Sequence, residues 1–319
     1  MILKTLKKSL KWKWERINLS NDTKSFVIMS LLQAITLIIL QIRIALRNTS
    51  LSDQMESYLE QNKTLAASCE MVLADNRLTL LFAENFCFIF FQIFQFYFCS
   101  HAIVHQNMIQ IFVILGLDIA NALYGIVQQD EVAIELNIIT ASCPGVYQLS
   151  PYYESYEYPN VIVSSAFALA KLILTWRLFI LFERKMYEKP DIELHKPTLY
   201  RKMLIFVMML KLAAFLVVIN ASLTAAIIPF LGRQSMMFVI AYAIHASILL
   251  FSIPALILAF NSFIRQWKIG MYIFLVFWVF FVADFAFLIK DGISAASDGW
   301  YFWISTIFVT LITALVSDN

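Results

Sequence analysis

The stretch YRKMLIFVMMLKLAAFLVVINASLTAAIIPFL, residues 200–231, decides the fold class. It opens with Arg201 and Lys202 and continues as a long apolar run in which Lys211 is the one charged residue. An apolar segment longer than about 18 residues can cross a bilayer and is too long for an ordinary buried helix. Basic residues collect at the cytoplasmic end of such segments. The stretch therefore predicts a transmembrane helix with a cytoplasmic collar and one intramembrane cation.

The composition extends this prediction to the whole chain. Of its 319 residues, 61% are hydrophobic and 14% are charged, whereas soluble domains have about 45–50% apolar and about 25% charged residues. The polar segments are too short to bury a core of their own, so we expect a single transmembrane domain, 26–316, after a basic tail, 1–25. The basic residues flank apolar runs instead of forming a groove-binding face, so we expect the lipid bilayer, and no nucleic acid, as a partner.

Apolar runs predict an all-α polytopic transmembrane helical bundle of seven or eight spans. The eighth run has 17 residues, which suffices only for a thin bilayer. The predicted spans are Phe26–Ile42, Leu78–Ser100, Met108–Val127, Val161–Phe182, the fifth within 200–231, Met236–Phe260, Met271–Leu288 and Trp300–Val316.

The distribution of Lys and Arg predicts a cytoplasmic N-terminus. With that orientation, the cytoplasmic segments hold fifteen basic residues and the segments on the other side hold six. Loops 43–77 and 128–160 are then lumenal, and loop 183–202 is cytoplasmic. The tail alternates lysines with apolar residues at helical spacing, which suits a helix lying on anionic lipids of the cytoplasmic leaflet. A frayed tail that only sets topology is the alternative.

The lumenal segments contain two sequence signals for covalent modification. Asn48 and Asn62 begin N-glycosylation sequons. Cys69 and Cys143 fall in the same oxidising compartment, and a disulfide between them is a hypothesis. Cys87 and Cys99 fall within span two and are expected to pack as small apolar residues. The four cysteines show no metal-binding spacing, so no metal site is predicted.

Several polar residues lie within the predicted spans. Asp118 and Lys171 each lie about ten residues into consecutive spans, near the midplane, where a charge costs roughly 2.5–3.5 kcal/mol even on a lenient scale. We predict that they pair, with Lys211 as the competing partner for Asp118. A pair that only fixes helix register and a pair with a transport or ligand role both remain open. The other intramembrane polar residues are Glu84, Asn121, Arg177, His245 and Asp284.

Position within the span suggests a simple role for several of these residues. Arg177 lies near the cytoplasmic end of span four and is expected to extend its side chain into water. Glu84 and Asp284 lie nearer the lumenal ends and are expected to reach water there. His245 is expected to be a hydrogen-bonded packing histidine, and Pro254 is expected to kink span six.

Four stretches resemble an uncharacterised family of fungal Golgi-apparatus membrane proteins, usually described with seven spans. They are LLQAITLIILQI, QNMIQIFVILGLDIANALYGIVQ, PNVIVSSAFALAKLILTWRLFILFERKMYEK and LYRKMLIFVMMLKLAAF. The family tends to have an acidic residue two positions after the lysine of span five, where this chain has Ala213. The resemblance implies a Golgi location and no known chemistry.

No motif for catalysis or cofactor binding occurs in the sequence. A P-loop, GxSxG, HExxH and a Gly-rich dinucleotide loop are all absent, so we predict no enzyme activity and no cofactor. A G-protein-coupled receptor is set aside because span three ends in YGIVQQDEV, span seven holds ADFAF, and the charge bias opposes an external N-terminus. A trafficking or scaffold protein is the preferred interpretation. The alternative is a small-solute or ion transporter using Asp118, Lys171 and Lys211, although no internal repeat supports it.

Overall fold

The computed structural model describes residues 11–12, 14–61, 71–142, 158–187, 196–227 and 236–297. These ranges contain seven long helices and no strand. A helix satisfies all its backbone polar groups internally, as a lipid environment requires. In chain order the helices are α1 (Asn21–Gln61), α2 (Met71–His105), α3 (Met108–Ser142), α4 (Tyr158–Tyr187), α5 (Lys196–Ile227), α6 (Met236–Ile264) and α7 (Lys268–Ser297).

Six helices in the described part of the chain are long and apolar enough to cross a membrane. The predicted all-α class is confirmed, and the first six predicted spans coincide with these six helices. Span seven falls within α7, and span eight lies outside the described residues. The six segments are Asn21–Ser50, Glu84–His105, Met108–Ile126, Tyr158–Phe182, Met203–Ser222 and Tyr242–Ile264.

Several helices are longer than the spans predicted from hydropathy. Helix α1 has 41 residues, which corresponds to roughly 60 Å, about twice the thickness of the hydrocarbon core. It continues to Gln61, and α3 continues to Ser142, so much of the predicted loops 43–77 and 128–160 is helical. Neither extension contains a glycine or proline that would end a helix.

A capping box fixes the start of α1. The backbone N–H of Thr23 donates to Oγ of Ser20 (3.1 Å), and the N–H of Ser20 donates to Oγ1 of Thr23 (3.1 Å). These bonds satisfy donors that have no partner within the helix. Oγ1 of Thr23 also donates to the carbonyl of Ile17 (2.7 Å), which ties the preceding turn to α1.

Two tight turns join α2 to α3 and α6 to α7. Gln106 and Gln266 both adopt a left-handed conformation, with φ of 52° and 53°. In the first turn the N–H of Asn107 donates to the carbonyl of Ala102 (3.0 Å); in the second, Trp267 donates to Ser262 (2.8 Å). This is the Schellman pattern, which satisfies the last carbonyls of a helix and reverses the chain. Both turns place consecutive helices antiparallel.

The chain divides into two compact units; the assignment of 26–316 to a single transmembrane domain stays a prediction. The first unit comprises Met1–Arg47 and Phe88–Ile205, and the second comprises Asn48–Cys87 and Phe206–Asn319. In the first unit, two contacts for each pair of consecutive helices run in opposite order along the chain, so α1 to α4 alternate in direction. The contacts are Ser30–Cys99 and Gln33–Gln95, Gln92–Asn121 and Gln95–Asp118, and Phe112–Phe179 and Asp118–Lys171.

Helix α4 of the first unit buries polar residues and exposes apolar ones. On α4 the buried face includes Asn160, Ser164, Lys171 and Thr175, each at most 5% exposed. The opposite face of the same helix exposes large apolar side chains: Ile162, Leu169, Leu172, Ile173 and Trp176. A water-soluble protein has the reverse arrangement, and a continuous exposed apolar face of this kind marks contact with lipid. This face is the membrane-facing surface of the unit.

The second unit has an apolar core built largely by α5, α6 and α7. Buried residues at helical spacing on α6 pack against α5 and α7, and the cluster comprises Ala213, Val217, Leu249, Leu256, Ala259, Phe274 and Phe281. Near the turn, α6 and α7 approach closely at Gly270. A Cβ atom there would lie 2.1 Å from Oγ of Ser262 and 2.6 Å from Cε3 of Trp267, so this contact requires glycine.

Candidate functional site

Four helices of the first unit each contribute one polar side chain to a buried cluster. The residues are Gln33 on α1, Gln95 on α2, Asp118 on α3 and Lys171 on α4, and each is at most 2% exposed. We refer to these four residues as the Asp118 cluster. Each lies on its helix's buried face, with buried neighbours three or four residues away, because residues at that spacing share one side of a helix.

The carboxylate of Asp118 accepts three donors at a single oxygen. Nε2 of Gln33 and Nε2 of Gln95 donate to Oδ1 at 2.7 and 2.6 Å, and Nζ of Lys171 donates to the same atom at 3.2 Å. Nζ also lies 3.1 Å from Oδ2, an ionic contact without hydrogen-bond geometry. Nε2 of Gln33 lies 3.5 Å from Oε1 of Gln95, so the two amides are themselves in contact.

The Asp118 cluster neutralises two charges that are buried away from bulk solvent. The side chain of Lys171 is 1% exposed and that of Asp118 is fully buried. Removing such ions from water costs several kcal/mol each, which is recovered only with good geometry and further hydrogen bonds. The two amides supply those bonds, and bonds to a charged acceptor are about twice as strong as neutral ones. The cluster therefore holds four helices in one register while carrying no net charge.

Two neighbouring contacts extend this polar layer. Sγ of Cys99 donates to Oγ of Ser30 at 3.0 Å, which joins α1 to α2. Nε2 of Gln92 donates to Oδ1 of Asn121 at 3.5 Å, which joins α2 to α3. Asn121, predicted as an intramembrane polar residue, thus lies one helical turn from Asp118 and contributes to the same interface.

The second unit has a smaller polar contact between α6 and α7. Nδ1 of His245 donates to Oδ2 of Asp284 at 2.6 Å, and the two side chains are 8% and 12% exposed. The hydroxyl of Tyr242, one turn away on α6, donates to the backbone carbonyl of Thr224. His245 is a hydrogen-bonded packing histidine as the sequence predicted, whereas its partner was expected to reach water.

The remaining intramembrane residues occupy different environments. Arg177 extends outward, with a side chain 62% exposed, and lies 3.5 Å from Asp22; its extension into water stays a prediction. Glu84 was expected to reach water but is 2% exposed. Lys211 is half-buried and belongs to the second unit, and the cation in contact with Asp118 is Lys171.

The predicted modification sites lie partly outside the described residues. Asn62, Cys69 and Cys143 all fall there, so the second sequon and the proposed disulfide stay predictions. Asn48 lies within α1 and is 2% exposed, which places its side-chain amide against protein and not in a surface loop. Cys87 and Cys99 are free thiols in α2, half-buried and buried respectively, as expected for packing residues.

The two glutamines of the Asp118 cluster, Gln33 and Gln95, were not among the predicted intramembrane polar residues. Those predicted residues were charged residues, one histidine and one asparagine. The signal that could have found them is spacing. Ser30, Gln33 and Gln41 lie on one side of a helix, with Leu37 between them, in an otherwise apolar run. This spacing predicts a mostly polar stripe that faces the interior of the bundle.

Among the described residues, no group of three or more His, Cys, Asp or Glu side chains is placed to hold a metal ion. The fold and the inward-facing charges define an integral membrane protein of the helical class. No protein-family model, curated protein or solved structure matches the chain.

Proposed function

We propose that this protein is a non-catalytic, multi-pass component of the Golgi or another secretory-pathway membrane, with a trafficking or scaffold role. The observation that carries the proposal is the Asp118 cluster. Its charges and both amide N–H donors are engaged with side chains of other helices, so the polar chemistry of the site serves helix–helix association. The Golgi assignment has its support in the family resemblance of the sequence.

The proposed contact surfaces are the basic tail, 1–25, and the loop 183–202, both on the cytoplasmic side. The excess of Lys and Arg in these segments supports that orientation. Trp12 and Trp14 are 43% and 64% exposed and lie close in sequence to the exposed Lys11. Exposed tryptophan beside lysine is the composition that binds an anionic membrane surface. Anionic lipids of the cytoplasmic leaflet are therefore the proposed partner of the tail.

Neutralising the tail tests this proposal. We expect replacement of all seven Lys and Arg residues of 1–25 by Gln to leave the melting temperature of the purified protein unchanged, because the described ones, Lys11, Arg16 and Lys24, lie outside the buried clusters. We expect the same variant, expressed in yeast cells with a fused proximity-labelling enzyme, to leave the Golgi and to stop labelling nearby cytosolic proteins. Unchanged residence and labelling in this folded variant would contradict the proposal.

A solute or ion transporter using Asp118, Lys171 and Lys211 is the second candidate, favoured by the depth of the Asp118 cluster within the candidate spans. The matched variant is Asp118→Asn/Lys171→Gln, which removes both charges and keeps side chains of similar size. If the protein is a scaffold, the fraction of the double variant found in the Golgi will follow the amount of folded protein. If it is a transporter, the variant will be made in normal amount and will reside in the Golgi, but it will no longer carry solute.

A further inference from the structure

The two ends of the first unit differ in what fills them. One end carries the α2–α3 turn at Gln106, and we call it the turn end; the opposite one is the far end. Contacts between helices show which residues lie at the same height along the unit. Phe112 packs on Phe179 and His101 bonds Gln110 toward the turn end, and Phe88 packs on Tyr124 toward the far end. The Asp118 cluster lies between these two sets of contacts.

The half toward the turn end is a closely packed apolar plug. All four helices contribute large side chains that are 4% exposed or less: Phe26, Phe98, Ile103, Ile111, Ile114, Leu178 and Phe182. Most polar residues in this half are engaged locally. For example, Nε2 of Gln110 donates to the carbonyl of Phe98 at 2.8 Å, whereas Oγ1 of Thr175, one turn from Lys171, has no hydrogen-bond partner among the described residues. A packed apolar layer of this kind excludes water.

The half toward the far end has a polar lining. From the Asp118 cluster outward, the buried side chains include amides and small residues from each helix: Gln41, Gln92, Asn121, Gly125, Asn160, Ser164 and Ala168. Leu37 and Ile44 on α1 and Phe88 on α2 are the buried apolar residues beside them. Nδ2 of Asn160 lies 3.9 Å from the position of a Cβ on Gly125, so amide and glycine meet where α3 and α4 approach.

Gln41 supplies an independent observation that points to a ligand. It is 1% exposed, and neither its Nε2 nor its Oε1 has a hydrogen-bond partner within the described part of the chain. It lies two turns beyond Gln33 on the same face of α1, roughly 12 Å nearer the far end. Oε1 of Gln33 is likewise unpartnered. A buried amide with no partner loses about 1–3 kcal/mol per group, and water or a polar solute is its usual partner.

We infer that the polar half of the first unit, from the Asp118 cluster to Gln41, is a hydrated vestibule that the apolar plug closes on the side of the turn end. Its lining is made of amides and hydroxyls, and the cluster is neutral overall. The vestibule therefore suits water and small uncharged solutes that both donate and accept hydrogen bonds. This site does not rest on the proposed scaffold role, since it is defined by the interior of the unit alone.

Cysteine accessibility tests the vestibule directly, because methanethiosulfonates react with the thiolate, which forms only where water reaches the sulfur. Single cysteines are introduced at Gln41, Asn121 and Ser164 in a full-length chain whose four native cysteines are replaced by serine or alanine. Matched controls are Ile114→Cys and Leu178→Cys in the plug and Ile173→Cys on the lipid face. The probe is 2-hydroxyethyl methanethiosulfonate, a small neutral reagent, applied to proteoliposomes.

We expect the three vestibule cysteines to react at least about tenfold faster than the three controls, and molar glycerol, but not choline chloride, to slow them. Melting temperatures identify variants that remain folded, and the three vestibule positions on separate helices provide replicates if one fails. Equal rates at Ser164→Cys and Leu178→Cys would overturn the vestibule. Fast labelling without protection by glycerol would overturn the assignment of the solute class.

Discussion

Lys171→Leu is expected to lower the free energy of unfolding by about 3–5 kcal/mol, because it leaves the carboxylate of Asp118 buried without its cation. Asp118→Leu is expected to be equally damaging, since it leaves Lys171 unpaired and removes the acceptor of Gln33 and Gln95. The double variant Asp118→Leu/Lys171→Leu is expected to be more stable than either single variant. Replacing a buried ion pair by apolar side chains leaves no uncompensated charge.

Thermal unfolding of the purified protein in detergent, combined into a double-mutant cycle, measures this coupling. Arg177→Leu is the matched control. It removes another cation from the same helix, but one that is 62% exposed and 3.5 Å from Asp22, where a pair contributes about 0–1 kcal/mol. Additive effects in the cycle, or a single variant as stable as the control, would show that the Asp118 cluster does not hold the helices together.

Gly270→Ala is expected to destabilise the second unit by about 1–3 kcal/mol through overpacking. The new methyl group would lie 2.1 Å from Oγ and 3.0 Å from Cβ of Ser262 and 2.6 Å from the ring of Trp267. The backbone N–H of Trp267 donates to the carbonyl of Ser262, which holds the backbone of the turn and therefore the Cβ of Ser262 in place, although the Ser262 hydroxyl can rotate. Adding Ser262→Ala removes the shortest contact and is expected to restore part of the loss.

Gly116→Ala is the control for this substitution, because no atom lies within 4 Å of a Cβ at Gly116. Alanine also favours a helix over glycine by about 1 kcal/mol. We therefore expect this variant to melt at the wild-type temperature or slightly above it. If Gly270→Ala and Gly116→Ala melt alike, the close approach of α6 and α7 at this turn is not a constraint on the fold.

The positions of six spans were predictable from the sequence because length and hydropathy alone set them. The lengths of the helices were not. Hydropathy marks where a helix leaves the lipid, whereas the helical backbone continues at least to Gln61 in α1 and to Ser142 in α3. It continues because no glycine or proline interrupts these segments, and a search for apolar runs does not consider that.

The charged residues of the candidate site could be predicted from the sequence, whereas its two glutamines could not. Asp118 and Lys171 were recognisable because a lone charge at the midplane needs a partner. Gln33 and Gln95 carry no charge, and their role depends on two helices meeting at one carboxylate oxygen. The same limit applies to Asn48. A sequon is a local pattern, and it does not reveal that the asparagine is buried within a helix.

Oxygen and nickel-chelate collision rates of spin labels along α4 test the central claim, that the first unit turns its polar face inward and its apolar face to lipid. Labels at Leu169, Leu172, Ile173 and Trp176 are expected to collide mainly with oxygen, which concentrates in the bilayer. Labels at Ala168 and Thr175, which are 8% and 1% exposed in the wild-type protein, are expected to collide less with oxygen. Nickel-chelate maxima at Leu172 and Ile173 would place that face in water and contradict the account.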